Sequence, residues 1–241
     1  MPGPAWLVLP TYNEAENLEA VVAAAIGVLG RAARDGFAIL VVDDASPDGT
    51  GDIADRLCAA HPEVQVLHRP ARAGLGPAYL AGFRHALTAG AGHVMEMDCD
   101  FSHDPADLAR LLGAVYDGAD LALGSRYVTG GAVADWGLAR RLVSRGGSAY
   151  AQTILALRIR DLTGGFKCFR REVLEAIDLD GVRSQGYAFQ VELTYRVVRS
   201  GFRVVEVPIV FRDRRAGLSK MSWRIAAEAM WLVPQLRLRR A

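Results

Sequence analysis

The stretch His93-Val-Met-Glu-Met-Asp98-Cys99-Asp100-Phe101-Ser102-His103-Asp104-Pro105 decides the reading of the fold. It starts as a short apolar run and ends in two carboxylates one residue apart. A buried strand followed by Asp-x-Asp puts both acids at the strand's C-terminal edge, which is where open α/β sheets bind ligands. Asp104 offers a helix N-cap and Pro105 a first helical position, so a helix follows at once and stiffens the acidic turn. Hard cations such as Mg²⁺ or Mn²⁺ prefer oxygen ligands and share them with phosphates. A metal–diphosphate site is the chemistry this turn fits.

Working outward in both directions, the chain alternates strand and helix. Trp6 to Pro10 reads as a first strand, followed by Asn13 as a helix cap with Glu16 at the capping-box position. Phe37 to Val42 is a continuous β-rich run, as in a parallel strand buried on both faces. It ends in Asp43-Asp44-Ala-Ser46-Pro-Asp48-Gly49-Thr50, a turn with Thr50 as the next cap. Val64 to Leu67 reads as a third strand, a helix runs from Gly74 to about Ala89, and the acidic strand ends at Asp98. The pattern predicts an α/β fold, a mostly parallel sheet with helices on both faces. Gly74-Leu-Gly76 lacks the dinucleotide fingerprint and reads as structural. Leu121 to Gly124 is a fifth strand, residues 136–157 a helix with arginines ahead of an apolar segment, and residues 161–169 a turn into an edge strand. A helix from Gly186 to Val198 and a strand from Arg203 to Phe211, interrupted by Pro208, follow.

Bulk properties set the limits. The 241 residues suit one large α/β domain, and a net charge of +1 gives no case for nucleic-acid binding. Cys58, Cys99 and Cys168 have no metal spacing and read as reduced thiols of a cytosolic protein. No secretory leader and no apolar stretch approaching the ~18 residues of a membrane span is read. The C-terminal part is locally basic: Arg212, Arg214, Arg215, Lys220, Arg224, Arg237, Arg239 and Arg240 stand against Asp213 and Glu228.

With these motifs placed, the sequence resembles the dolichol-/polyprenol-phosphate mannosyltransferases of glycosyltransferase family 2. The resemblance rests on Leu9-Pro-Thr-Tyr-Asn-Glu14, Val42-Asp-Asp-Ala-Ser-Pro-Asp-Gly-Thr50, Met97-Asp-Cys-Asp-Phe-Ser-His103 and Gly124-Ser-Arg-Tyr127. It continues through Ser144-Arg-Gly146, Asp161-Leu-Thr-Gly-Gly-Phe166, Gly186-Tyr-Ala-Phe-Gln190 and Glu206-Val-Pro-Ile209. It implies a GT-A fold over residues 1–220, GDP-mannose as donor, a polyprenyl phosphate as acceptor and a divalent metal, Mg²⁺ or Mn²⁺. Cys99 replaces the alanine usual between the two acids. Ser102 stands where some relatives carry a Gln as a further metal ligand, and offers a weaker oxygen.

The implied reaction moves a mannosyl group from GDP to a phosphate that is already anionic, so the main demand is stabilising the departing diphosphate. Metal ligands are then Asp98, Asp100 and Ser102, with Asp100 the principal one. Pro10, Tyr12, Glu14, Val41, Asp43 and Cys99 are expected to contact the nucleotide sugar, with Asp44 and Asp48 as turn and cap residues. Arg126 is expected to bind phosphate and assist catalysis, because a guanidinium fork suits phosphate oxygens. Arg140, Arg141 and Arg145 are expected on the acceptor phosphate, and Arg214 and Lys220 in a loop closing over the diphosphate. His103 reads as a loop residue. Residues 221–241 read as an amphipathic helix that meets the cytoplasmic face of a membrane peripherally, or docks on a membrane-embedded partner protein. The rival readings are hexosyl transfer from a UDP-sugar, and a nucleotide-sugar-binding subunit without turnover.

Overall fold

A computed structural model describes residues 3–134, 137–182, 184, 186–213 and 223–238, with the side chains of 138–140, 187, 223–229 and 232 outside the description. Its first half is β1 (Ala5–Thr11), α1 (Leu18–Ala32), β2 (Phe37–Asp43), α2 (Thr50–Ala60), β3 (Val64–His68), α3 (Leu75–Thr88) and β4 (His93–Glu96). A 3₁₀ turn (Pro105–Asp107) leads into α4 (Leu108–Tyr116), β5 (Leu121–Ser125), β6 (Ala132–Val133) and α5 (Leu138–Leu155). The rest is β7 (Lys167–Arg170), α6 (Arg171–Ala176), α7 (Gly186–Arg199), β8 (Val204–Pro208), β9 (Val210–Phe211) and α8 (Trp223–Leu238).

Seven strands form one sheet in the order β3-β2-β1-β4-β7-β5-β8, and β6 and β9 make a small second ladder. All pairings in the large sheet are parallel except those of β7, which runs antiparallel between β4 and β5. The expected edge strand is therefore central. Its four residues are too short to show a period, and its partners lie far away in sequence, so nothing local marks its place.

Strand alternation sends Leu7, Leu9, Ile39, Val41 and Met95 to one face, under α1 and α4. It sends Trp6, Val8, Leu40, Val42 and Val94 to the other, under α3 and α7. Helix α3 lies so close to the sheet that a Cβ at Gly82 would collide with Val8 Cγ1. A Cβ at Gly76 would meet the Ser184 carbonyl at 2.9 Å, so Gly76 serves packing. Val233 and Leu236 of α8 are buried with Leu155 of α5 and Val191 of α7, so the C-terminal helix packs on the body.

Two capping expectations fail for one reason. Asn13 adopts φ 57°, and α1 begins only at Leu18, behind Asn17. The amides that a local cap would serve are taken by the neighbouring loop: Asn13 N donates to Ser46 Oγ, Glu14 N to Thr50 Oγ1 and Ala15 N to Asp48 Oδ2. Thr50 lies inside α2 and is itself capped, its amide donating to Asp48 Oδ1 at 3.1 Å. Asp48 thus ties the ends of β1 and β2 together as well as capping α2.

Candidate active site

Strand β4 ends at Glu96, two residues short of the expected Asp98, so both acids lie in the turn beyond it. The turn closes through Phe101 at φ 59°, a left-handed position that a non-glycine side chain occupies only when its surroundings enforce it. Phe101 packs against the α1/α4 core, and Asp104 Oδ1 accepts from Ala106 N at 2.9 Å to start the following 3₁₀ turn. Asp100 is buried and accepts from Ser102 N at 3.0 Å. Asp98 accepts from the Tyr79 hydroxyl of α3 at 3.2 Å. Burial, reinforced by Asp98, pushes the Tyr79 phenol well above its usual range, so it stays a donor. Ser102 Oγ is buried without a hydrogen-bond partner among the described residues. Two carboxylates and an orphan hydroxyl within five residues form a hard-oxygen donor set that fits Mg²⁺ or Mn²⁺. Cys99 points the other way, into the core, and does not face the cleft.

Beside this turn, a cleft of about 90 Å³ is lined by Pro10, Tyr12, Asp44, Arg72, Gly74 and Ala78, among others. Pro10 and Tyr12, two of the residues expected on the nucleotide, are among its walls. Glu14 and Val41 are not: Glu14 Oε2 accepts from Asn17 Nδ2 at 3.0 Å, and Val41 is a core residue of β2. The acid on the cleft is Asp44. Asp43 faces the α2 side, accepting from Ser46 N and lying 3.8 Å from His68 Nδ1. One residue of strand alternation separates the two. Asp44 also organises the loop before α3, accepting from Ala73 N at 2.9 Å, Gly74 N at 3.0 Å and Arg69 Nη1. That loop carries Arg72, whose guanidinium lies 4.0 Å over the Tyr12 ring. As one of two arginines in a short loop of Pro, Ala and Gly, Arg72 carries no signal in the sequence. Asp44→Ala is expected to release this loop, weakening nucleoside diphosphate binding at least about fivefold. Calorimetry on the folded variant checks it.

Arg126 sits at the end of β5, buried, with its fork turned inward. Nε and Nη2 donate to Asp161 at 2.7 and 2.6 Å, and Nη2 also reaches Thr163 Oγ1. The structure gives the fork to a carboxylate where the sequence reading gave it to phosphate. Arg141 donates to the Val133 carbonyl at 2.9 Å, and Arg145 lies 5.6 Å over the Tyr127 ring. Both are exposed on α5. The side chain of Arg140, and all of Arg214 and Lys220, lie outside the described residues.

Beneath the acidic turn lies a network that the sequence reading missed. Lys167 of β7 pairs in register with Glu96 of β4, and both side chains are fully buried. Lys167 Nζ donates to Glu96 Oε1 at 2.7 Å and to Gln190 Oε1 of α7. Burial pushes the Lys167 ammonium down and the Glu96 carboxyl up, and each partner's charge opposes that push on the other. The lysine is a buried cation beneath Asp98, held by residues remote in sequence.

His103 is enclosed by Phe166 and Phe211, with ring centroids at 4.9 and 5.2 Å. Burial lowers it to about 4 from 6.5, with Asp100 opposing. The folded chain therefore binds fewer protons than the unfolded chain between these values, and stability falls as pH drops through that window. His103→Gln is expected to flatten the loss of stability between pH 6.5 and pH 5, read as urea midpoints.

Residues 6–178 match the family model for glycosyl transferase family 2. The chain belongs to this family. It is 50% identical over 234 residues to the polyprenol monophosphomannose synthase of Mycolicibacterium smegmatis, covering 97% of this chain and 86% of that protein. It is 49% identical to the undecaprenyl-phosphate mannosyltransferase of Micrococcus luteus, covering 92% of this chain and 89% of that protein. Among solved structures, a Pyrobaculum calidifontis mannosyltransferase in complex with GDP-Man and Mn²⁺ has a TM-score of 0.68 at 19% identity, covering 100% of this chain and 66% of that one. The Mycobacterium tuberculosis glucosyl-3-phosphoglycerate synthase with Mn²⁺ and UDP has a TM-score of 0.67 at 20% identity, covering 96% of this chain and 77% of that one. These likenesses establish the GT-A fold for this family 2 transferase.

Proposed function

We propose that this chain transfers mannose from GDP-mannose to a polyprenyl phosphate with inversion at the anomeric carbon, assisted by Mg²⁺ or Mn²⁺. The observation that carries the reading is the near-complete, 50% identical match to a polyprenol monophosphomannose synthase, over a chain that retains both acids at the sheet edge. Asp98, Asp100 and Ser102 would hold the cation, which when bound neutralises the diphosphate as it departs. Tyr12 and Arg72 flank the cleft that the nucleotide enters, and Asp44 keeps their loop in place. The acceptor phosphate is anionic at neutral pH and attacks without deprotonation, so no general base is required. Support comes from His103, the histidine nearest the acids in sequence, which is enclosed by the rings of Phe166 and Phe211. Arg141 and Arg145 would meet the acceptor's phosphate, and Arg214 and Lys220 would contact the donor diphosphate. Arg126 braces the end of β5 through Asp161. Hexosyl transfer from a UDP-sugar stays the rival, since the cleft's walls suit either base.

Lys220→Ala is expected to weaken GDP and GDP-mannose alike, and unchanged GDP affinity by calorimetry would remove Lys220 from the donor site. The reaction itself is tested by product stereochemistry. Incubation with GDP-mannose, Mn²⁺ and polyprenyl phosphate should give the β-linked lipid product by NMR, lost on chelation. An α-linked product would exclude direct displacement.

A further inference from the structure

Tyr79 stands on the second turn of α3, fully buried. Its ring lies parallel to that of Phe189 of α7, with centroids 5.9 Å apart and an interplanar angle of 3°. Phe83, one turn further along α3, packs on it at 5.8 Å. The two helices are pressed together here, since a Cβ at Gly76 would meet Phe189 Cδ2 at 3.0 Å. Gln190, the next residue of α7, accepts from Lys167 Nζ, and Lys167 pairs with Glu96, two residues before Asp98. The ring of Tyr79 and the strand leading into the acidic turn are therefore held in one buried frame. From that frame the Tyr79 hydroxyl donates to Asp98 Oδ1 at 3.2 Å. The start of α3 also forms the cleft: Gly74, Leu75 and Ala78 line it, and Gly74 N donates to Asp44 Oδ2 at 3.0 Å.

A phenylalanine would fill this stack equally well, so packing alone does not call for the hydroxyl. The hydroxyl goes instead to a carboxylate in the turn beyond β4, on a group that the reading above gives to the cation. Carboxylates that ligate metals are themselves hydrogen-bonded, and losing such a partner costs about ten- to a hundredfold in metal affinity or activity. We propose that Tyr79 is a positioning residue, whose hydroxyl sets the Asp98 carboxylate to receive a divalent cation. The inference rests on the proposed reading insofar as Asp98 is a cation ligand. Because the ring is clamped between α3 and α7, the hydroxyl cannot follow the carboxylate if the turn shifts, and Asp98 is oriented before the cation arrives. Helix α3 then ties the wall of the cleft and the cation turn to one rigid element.

Manganese binding in the presence of GDP, read from the electron spin resonance signal of free Mn²⁺, tests this on the full chain. Tyr79→Phe should bind Mn²⁺ at least about tenfold more weakly than wild type, with GDP affinity in EDTA unchanged. The Mn²⁺ concentration for half-maximal mannosyl transfer should rise by the same factor while the rate at saturating Mn²⁺ recovers, a split that lost packing would not give. In the Asp98→Ala background, Tyr79→Phe should cost nothing further. Mn²⁺ affinity of Tyr79→Phe within about twofold of wild type, or an equal loss in both backgrounds, would overturn the proposal. Protein carrying 3-fluorotyrosine at position 79 gives a reading that does not depend on how Tyr79→Phe folds. Mg²⁺ with GDP should move its fluorine resonance, and an unmoved resonance would overturn the proposal as well. A weakened Mn²⁺ site in Tyr79→Phe, in a protein whose wild type transfers no mannose, would uphold the role of Tyr79 and count against the proposed reaction instead.

Discussion

Asp100→Asn is expected to reduce turnover at saturating Mn²⁺ by at least about a thousandfold, because removing one charged oxygen ligand weakens both cation retention and stabilisation of the departing diphosphate. Stability should change little. Asp100 accepts from the Ser102 amide at 3.0 Å, and the asparagine oxygen can accept the same bond. Labelled GDP release from GDP-mannose in the presence of acceptor gives the rate, and thermal unfolding gives the control. A variant that melts normally and retains a tenth of the wild-type rate would show that the acidic turn is not where the diphosphate is stabilised. Asp98→Asn should be milder, since Tyr79 already holds that carboxylate on one oxygen.

Lys167→Met is expected to destabilise the fold by about 3–5 kcal/mol, because it leaves the Glu96 carboxylate buried without its cation. That is a large share of a total stability of about 5–15 kcal/mol. Pairing it with Glu96→Leu should recover most of the loss, since replacing both members of a buried pair by apolar groups is often neutral. Urea unfolding of the two single variants and the double variant measures the coupling. Single variants within about 1 kcal/mol of wild type would mean that water reaches the pair. A double variant that regains stability but not turnover would assign the network to positioning the acidic turn.

What the sequence revealed and what it hid follow from distance along the chain. The strands β1, β2, β4 and β5 were readable because each is a continuous apolar run ending in a polar cluster, a pattern complete within a few residues. The turn that carries Asp98 and Asp100 was readable for the same reason, down to Asp104 as the cap. Strand β7 was misplaced at the edge because its central position depends on pairing with β4 and β5 at once. Lys167 gave no hint of burial, since its partner Glu96 is 71 residues away. Chemical type and a place at the end of β5 point Arg126 at phosphate, whereas Asp161, 35 residues on, takes its fork. The choice between Asp43 and Asp44 hung on a single step of strand alternation, which no composition argument resolves. Arg72 owes its place over Tyr12 to the hydrogen bonds that Asp44 makes across the loop.

The central claim is mannosyl transfer from GDP-mannose to a polyprenyl phosphate. One measurement bears on it most directly: incubation with polyprenyl phosphate and Mn²⁺ or Mg²⁺, with labelled GDP-mannose, UDP-glucose and UDP-GlcNAc in parallel reactions. Label should pass to the lipid from GDP-mannose, at least about tenfold faster than from either UDP-sugar. Faster transfer from UDP-glucose or UDP-GlcNAc, or no transfer from GDP-mannose while GDP still binds, would contradict it.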